Sequence, residues 1–490
     1  MKAEIHIHRA DPIGHTDDRL FGSFIEHLGR AVYGGIYEPG HETADDMGFR
    51  RDVLDMVRQL RVPVVRYPGG NFVSGYRWED GTGDRSRRPR RMELAWGSIE
   101  TNEIGIDEFQ EWARRAGSTV MMAVNLGTRG MEAARDLVEY CNGTADTYFA
   151  NLRRRNGFDK PFGIKLWCLG NEMDGSWQIG HKTAQEYARL ACETAKLMKW
   201  TEPDIELVAC GSSGPGMPTF GDWERTVLRE CYEHIDYLSL HSYYGNRSGD
   251  TAAFLASSLE MDAFITKVAA ICDEIRAEKH SEKTVNLSFD EWNVWFHSNA
   301  KDAQIEKWQV APPLLEDIYN LEDALVVGCL LITLLRHCGR VKIACLAQLV
   351  NVIAPIMTET GGKAWAQTIY YPFLHCSLHG RGNVLHTECI CGTYDTAAHK
   401  AVPLIETVAV QVDSAETVTL FAVNRSPDTA FEPDLTGLDG FSLRSHTVLT
   451  GNDPKQCNTA ECPDAVVPEE AGSTMTLPPY SWNMLIFSRA

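Results

Sequence analysis

The sequence predicts an α/β protein: a (β/α)8 TIM barrel followed by a C-terminal antiparallel β-sandwich that the N-terminal strand completes. Three observations lead there. From about residue 20 to 378, short apolar runs of strand type alternate with longer helical patterns. Eight such runs can be counted, and eight β-then-α units over roughly 360 residues match a barrel with enlarged loops. After about residue 380 the pattern changes to strict alternation interrupted by Pro, Gly, Asn and Asp, as in an antiparallel sandwich.

The eight barrel runs are residues 20–25, 62–66, 120–124, 165–169, 205–209, 237–241, 285–289 and 341–347. Several are rich in Val, Ile and Leu without clean alternation, as a parallel strand covered on both faces requires. Between them lie amphipathic helices. One carries Phe49, Val53, Met56, Val57 and Leu60 on a single stripe. Another opens with a capping box, Thr183 to Glu186, and turns Tyr187, Leu190, Ala191, Leu197 and Met198 inward. The apolar run 324–335, bounded by Asp323 and Arg336, is too short to span a bilayer and reads as a buried helix. A doubly wound sheet would be the alternative, but the GxGxxG and P-loop glycine signatures are absent. Segments 408–412, 417–423 and 482–487 alternate as sandwich strands, and so does 3–8. The expected division is therefore 1–16 as a strand contributed to the sandwich, 17–378 as the catalytic barrel and 379–490 as the sandwich.

A formal charge of −20 argues against nucleic acid, which needs clustered Lys and Arg. The one basic cluster, Arg85 to Arg91, reads as a solvated loop. The first residues hold no apolar core of signal-peptide length, no run suits a membrane, and the 14 cysteines form no CxxC pair. A cytoplasmic protein with reduced thiols is the expectation. No cluster of His and Cys is present to hold a metal, so neither a metal nor another cofactor is expected.

In a TIM barrel the reacting groups sit at the C-terminal ends of the strands. Those positions hold Glu26 after strand 1, Arg66 and Asn71 after strand 2, and Asn171-Glu172 after strand 4. His241 and Tyr243 end strand 6, Asp290-Glu291 end strand 7, and Gln348 ends strand 8. Carboxylates, amides and aromatics on one rim suit a neutral sugar: planar polar groups for hydroxyls, indole faces for the C–H side of a ring. Glu172 and Glu291, on opposed strands, are the minimum for glycosidic cleavage, one protonating the leaving oxygen and the other attacking the anomeric carbon or activating water. Arg66 would keep the attacking group ionised, and Asn171 is placed for the sugar 2-hydroxyl. A glutamate after a strand is commonly only a helix N-terminal charge. Here the combination with Asn171, Arg66 and Tyr243 argues otherwise. Asp290 reads as a structural brace and His6 and His8 as sheet histidines. Trp112, Trp167 and Trp200 are expected in the core, and Trp96 and Trp295, in polar loops, as sugar contacts.

At these residues the chain resembles the α-L-arabinofuranosidases of glycoside hydrolase family 51, members of a clan of retaining barrels. The matching stretches run from Gly22 to His41, Arg66 to Thr82, Ala95 to Gln110, Trp167 to Lys182, Leu240 to Asn246, Phe289 to Phe296 and Ala347 to Thr358, in the family's order. The resemblance implies Glu172 as proton donor and Glu291 as nucleophile. It also implies Glu26, Asn71, Asn171, Tyr243 and Gln348 around the furanose, with Trp295 in recognition; Arg66, His241 and Trp96 support them. It further implies exo-acting, retaining release of terminal α-L-arabinofuranosyl units from arabinan- or arabinoxylan-type oligosaccharides, and a homo-oligomer, commonly a hexamer. The chain departs from the family's usual residues at Arg77, Asp84 and Ser176. Arg77 and Ser176 flank expected substrate loops and bear on leaving-group preference.

Two alternatives remain at this point. One is a related retaining enzyme on another unit, such as a β-D-galactofuranosidase, a xylosidase or a β-glucanase. The other is a non-catalytic carbohydrate-binding barrel, against which the intact carboxylate pair argues.

Overall fold

Eight parallel strands close into a barrel in the computed structural model, which describes residues 1–489. They are Gly22–Phe24, Val64–Tyr67, Thr119–Ala123, Leu166–Leu169, Glu206–Ala209, Tyr237–Tyr244, Asn286–Val294 and Val341–Ala347, hydrogen-bonded in sequence order around the ring. Each coincides with one of the eight runs read from the sequence. The missing alternation has a direct cause. Val64, Met121, Leu166, Cys168, Val208, Ile343 and Cys345 fill the barrel interior, while Val65, Met122, Trp167, Leu169, Leu207, Ala344 and Leu346 face the surrounding helices. Both faces are dry, so both are apolar.

The first run is shorter than expected because residues Asp18–Phe21 form a 3-10 turn before the strand. Strands 6 and 7 are longer, so His241, Tyr243 and Glu291 project from within strands rather than from loops beyond them. The helix Arg51–Leu60 buries Val53, Leu54, Val57 and Leu60. The helix Ala184–Thr201 has the expected capping box, Thr183 Oγ1 accepting from the Glu186 amide and the Glu186 carboxylate from the Thr183 amide. Its Leu190 and Leu197 are only half-buried.

Two expectations are corrected. Trp200 is not a core residue: it is 74% exposed. It lies about 200° around the helix from buried Met198, on the solvent face, with the Lys196 ammonium 6.0 Å from its ring. Nor is the basic cluster simply solvated, since Arg88 is nearly buried and donates to both oxygens of Glu108. Asp84 caps the turn Arg85–Arg87 by accepting from the Ser86 amide.

A second, mostly antiparallel sheet of eight strands stands beside the barrel, and the N-terminal strand Lys2–His15 lies within it, paired antiparallel to Asn383–Ile390 and parallel to Glu432–Thr436. Its inner face holds a core of its own, including Ile5, Leu420, Leu485 and Phe487. The alternate residues Val408, Phe421, Val423, Trp482 and Met484 belong instead to the main core. What they meet is the helix Leu321–Arg336, buried from Leu321 through Leu335. Lodged between barrel and sheet, that helix has no solvent face and hence no polar stripe. The fit is close: a Cβ on Gly328 would come within 2.6 Å of the Trp482 ring.

Candidate active site

The C-terminal mouth of the barrel opens into a cavity of about 440 Å³ lined by Glu26, Asn71, Trp96, Glu172, Tyr243, Glu291, Trp295 and Gln348, among others. The sequence-derived residues therefore converge on one site. Each is placed by a local device. Glu172 follows strand 4 in a left-handed conformation (φ 43°), immediately after Gly170 (φ 89°) and Asn171. That conformation costs an L-residue energy and is retained where surrounding structure fixes it. Trp96 sits at the turn of a hairpin, Arg91–Glu93 with Ser98–Glu100, whose turn is set by the Glu93 carboxylate accepting from the Ala95 and Trp96 amides, each at 2.7 Å. Gly70 permits close approach of strand 2's loop, since a Cβ there would lie 2.9 Å from Glu291 Oε1.

Glu291 is held at both oxygens. Arg66 Nη1 donates to Oε1 at 2.6 Å and the Tyr243 hydroxyl to Oε2 at 2.8 Å. Arg66 Nη2 also donates to Asn171 Oδ1 at 2.8 Å, fixing which way that amide points. Glu172 is gripped differently: the Trp177 indole N–H donates to Oε2 at 2.7 Å, and His241 Nδ1 lies 3.0 Å from Oε1. His241 Nε2 is 3.0 Å from Asp290 Oδ1, so Asp290 does serve as a brace, through His241 rather than at the strand end alone. One carboxylate oxygen of Glu172 lies within 4.8 Å of one of Glu291.

The electrostatics follow from burial. Desolvation would favour a neutral His241, but the Glu291 charge and the hydrogen bonds with Asp290 and Glu172 outweigh it and lift the imidazole to about 10. Desolvation likewise opposes charge on Arg66, and Asp290 and Glu291 beside it hold the guanidinium firmly ionised. Arg66 and His241 thus lie among the carboxyl groups of Asp290, Glu172 and Glu291. Glu26 is separate. Burial, aided by the Glu291 charge, pushes it up to about 8 against the opposing hydrogen bonds from the Phe72 amide and the Trp96 indole. At neutral pH it is mostly a neutral acid, able to donate as well as accept. Gln348 reaches it from strand 8, its Nε2 3.4 Å from Glu26 Oε2.

Among the described residues, Glu172, His241 and Glu291 also form the one grouping of metal-capable side chains. Its atoms are already committed to one another, with His241 Nδ1 bonded to Glu172. Several site residues were missed from the sequence. Trp177, 54% exposed, reads as a surface indole until its N–H is seen on Glu172. Leu28, Leu315 and Ile353, which form an apolar wall of the cavity, and Ser213 give no local signal at all.

A (β/α)8 barrel that sets two carboxyl groups this close across a sugar-sized cavity is a glycoside hydrolase. Two family models match, one described as alpha-L-arabinofuranosidase 1 domain over residues 56–258 and one as alpha-L-arabinofuranosidase C-terminal domain over residues 290–481. The intracellular exo-alpha-(1->5)-L-arabinofuranosidase 1 of Bacillus subtilis is 55% identical, covering 99% of this chain and 98% of its own. An exo-alpha-(1->6)-L-arabinofuranosidase of Bifidobacterium longum is 49% identical, with 95% and 94% covered. Among solved structures, a family 51 alpha-L-arabinofuranosidase of Bifidobacterium longum superposes with a TM-score of 0.94 at 49% identity, covering 99% of each chain. An alpha-L-arabinofuranosidase from Thermotoga maritima, solved with arabinose, gives 0.87 at 33% identity, again with 99% of each. The chain belongs to the α-L-arabinofuranosidases of glycoside hydrolase family 51. These comparisons lend no support to activity on another sugar unit or to a non-catalytic barrel. No helix among the described residues is long and apolar enough to cross a membrane.

Proposed function

We propose that the protein removes terminal, non-reducing α-L-arabinofuranosyl units from arabinan- or arabinoxylan-type oligosaccharides inside the cytoplasm, with Glu172 as acid/base and Glu291 as nucleophile. The observation that carries this is the short approach of the two carboxyl groups within a cavity that also presents Glu26, Asn71, Tyr243 and Gln348 to a ligand. Carboxyls about 5–5.5 Å apart suit direct attack, whereas enzymes that place a water between them need about 6.5–9.5 Å. In the first step Glu172 gives its proton to the glycosidic oxygen, the bond to the anomeric carbon breaks, and a Glu291 oxygen forms the new ester bond to that carbon. In the second, Glu172 takes a proton from water, whose oxygen displaces Glu291. Proton and sugar balance over the cycle, and the configuration is retained.

The two grips divide the labour. Arg66 and Tyr243 keep Glu291 oriented, while Trp177 and His241 hold Glu172 at the leaving-group side. Glu26, Asn71 and Asn171, with Tyr243 and Gln348, are proposed to bond the furanose, and Trp96 and Trp295 to pack on it. Residues 17–378 would be the catalytic unit and 379–490 with 1–16 its support. A homo-oligomer is expected, to be measured by light scattering. The test of function is kcat/KM on matched aryl glycosides of arabinofuranose, galactofuranose, xylopyranose and glucopyranose, with proton NMR of the first-formed sugar. The arabinofuranoside should be preferred and its configuration retained; a faster galactofuranoside or an inverted product would refute the reading.

A further inference from the structure

The second sheet carries a cluster of side chains that the proposed chemistry leaves unused. Its N-terminal strand Lys2–His15 lies between Asn383–Ile390, antiparallel, and Glu432–Thr436, parallel. Alternation turns Ala3, Ile5 and Ile7 into the sheet's own core and sends Glu4, His6 and His8 to the opposite face. On the antiparallel neighbour, exposed His386 and Glu388 share that outer face. The register sets His8 against His386 and His6 against Glu388, on successive rungs. No stretch of sequence shows this cluster, because residues 8 and 386 meet only in the folded sheet.

The two strand histidines differ. His6 is a satisfied sheet histidine: its Nδ1 lies 2.8 Å from Thr436 Oγ1 on the parallel neighbour, and its Nε2 is 3.9 Å from Glu4 Oε2. His8 and His386 are not: among the described residues neither ring makes a hydrogen bond or an ion pair. Their ring centroids stand 5.2 Å apart with the planes tilted by 53°, which is not a stack. Two imidazoles sharing one tetrahedral Zn2+, each nitrogen about 2.0–2.1 Å from the metal, place their ring centroids about 5 Å apart. Glu388 is two residues from His386 on the same face, and among the described residues it has no cation within 4.0 Å. It joins the two rings by a change of rotamer, which an exposed side chain makes in picoseconds to nanoseconds. Glu4 and Asp434, paired across the next strand boundary, add negative charge beside the cluster, with Lys2 3.9 Å from Asp434.

We infer that His8, His386 and Glu388 form a binding site for a divalent cation of the Zn2+ class, with water completing the coordination. Imidazole paired with carboxylate suits Zn2+, Co2+ or Ni2+, whereas Mg2+ and Ca2+ take oxygen ligands. The whole barrel lies between residues 8 and 386, so the metal clips together the ends of a very long loop. Such a clip restrains the unfolded chain, and a ligand that binds only the folded sheet stabilises it by mass action. The site holds the N-terminal strand in place and takes no part in the reaction, whichever sugar the enzyme cleaves.

The test titrates the chelator-treated full chain with Zn2+ by calorimetry and with Co2+ by visible absorption, in wild type, His8→Thr, His386→Thr and His6→Thr. Threonine suits an exposed strand position, and melts without metal check that each variant folds. Wild type should bind Zn2+ with a higher melting temperature and show the absorption of four-coordinate Co2+. His8→Thr and His386→Thr should each weaken Zn2+ by about tenfold or more, since losing even a partner of a metal ligand costs that much, and should lose the rise in melting temperature. His6→Thr should bind within about twofold of wild type. All variants should keep their metal-free kcat/KM on 4-nitrophenyl α-L-arabinofuranoside. Equal Zn2+ affinity in wild type and in both His8→Thr and His386→Thr overturns the inference and moves the metal elsewhere, the grouping of Glu172, His241 and Glu291 being the place if Zn2+ also inhibits. Binding of Mg2+ or Ca2+ as tight as Zn2+ overturns it in favour of a plain acidic patch. A loss in His6→Thr as large as in His8→Thr overturns the ligand set.

Discussion

Replacing His241 by Gln keeps a planar hydrogen-bond donor beside Glu172 and removes one positive charge from a buried cluster. His241 is held as imidazolium to about pH 10 by Glu291, Asp290 and Glu172. In the variant, Arg66 is the remaining cation beside Asp290 and Glu291. The lost charge lies 3.0 Å from a Glu172 oxygen and 3.7 Å from a Glu291 oxygen. Unit charges about 4 Å apart interact by about 4 kcal/mol at an effective dielectric of 20, and about 1.4 kcal/mol corresponds to one pH unit. The ceiling is therefore about three units, and relaxation of Arg66 and entry of water reduce it. Both limbs of the kcat/KM profile should move to higher pH by about one unit or more. The assay is initial rate on the nitrophenyl arabinofuranoside from pH 4 to 10, with a fixed-pH thermal melt to confirm folding. A variant with a lower rate but an unshifted profile would mean that His241 is a neutral spacer and that the charge balance described above is wrong.

Glu172→Ala should lose about 10²–10⁴-fold on oligosaccharides, less on an activated aryl glycoside, and recover partly with azide; Glu291→Ala should lose turnover on both, and equal unrescued losses would refute the roles. Trp177→Phe removes the donor to Glu172 Oε2 and, being half exposed, should cost only about fivefold on poor leaving groups, read as a fall in kcat that shrinks as the leaving group improves. Stability should decline from pH 6.5 to 10. His241, raised from 6.5 to about 10, keeps a proton in the native state that the unfolded chain has released, so its contribution is full below pH 6.5 and is lost as pH rises through 10. Glu26, raised from 4.5 to about 8, acts in the same direction between those values. The pH dependence of the denaturant midpoint should therefore be shallower above pH 6.5 in His241→Gln. Gly328→Ala should destabilise by about 1–3 kcal/mol through overpacking against Trp482, seen as a lower melting temperature with little change in KM; an unchanged melt would show that the helix has room to shift.

The barrel was legible because its periodicities come from burial, which the sequence states residue by residue. Strand ends were legible enough to place every proposed contact on one rim. What escaped was anything decided by tertiary geometry. Trp177 and Trp200 are both solvent-accessible indoles, yet one donates to the proposed acid and the other lies on the solvent face with the Lys196 ammonium 6.0 Å from its ring. No window of sequence separates them. The left-handed backbone of Glu172 is likewise invisible, since Glu is not a residue that advertises it. Leu28, Leu315 and Ile353 line the cavity with nothing in the sequence to mark them, because a core residue and a pocket floor have the same composition.

The role of the second sheet also becomes visible only in three dimensions. The first turn of the helix Leu321–Arg336 is where the catalytic loops meet it. Glu322 accepts from Asn246 of the strand-6 loop and also pairs with Lys455 of the C-terminal region. Asp323 takes His297, just beyond strand 7, at 2.8 Å. The amides of Leu321 and Glu322 donate to the carbonyls of Gln456 and Pro454. The same helix packs at Gly328 against Val423 and Trp482 of the sheet. Strands 6 and 7 carry His241, Tyr243, Asp290 and Glu291, so their loops are fixed from outside the barrel by a buried helix that itself depends on the sheet. A barrel without the sheet would expose that apolar helix and release both loops at once. The sheet is thus a structural condition of the site, although none of its side chains lines the catalytic cavity.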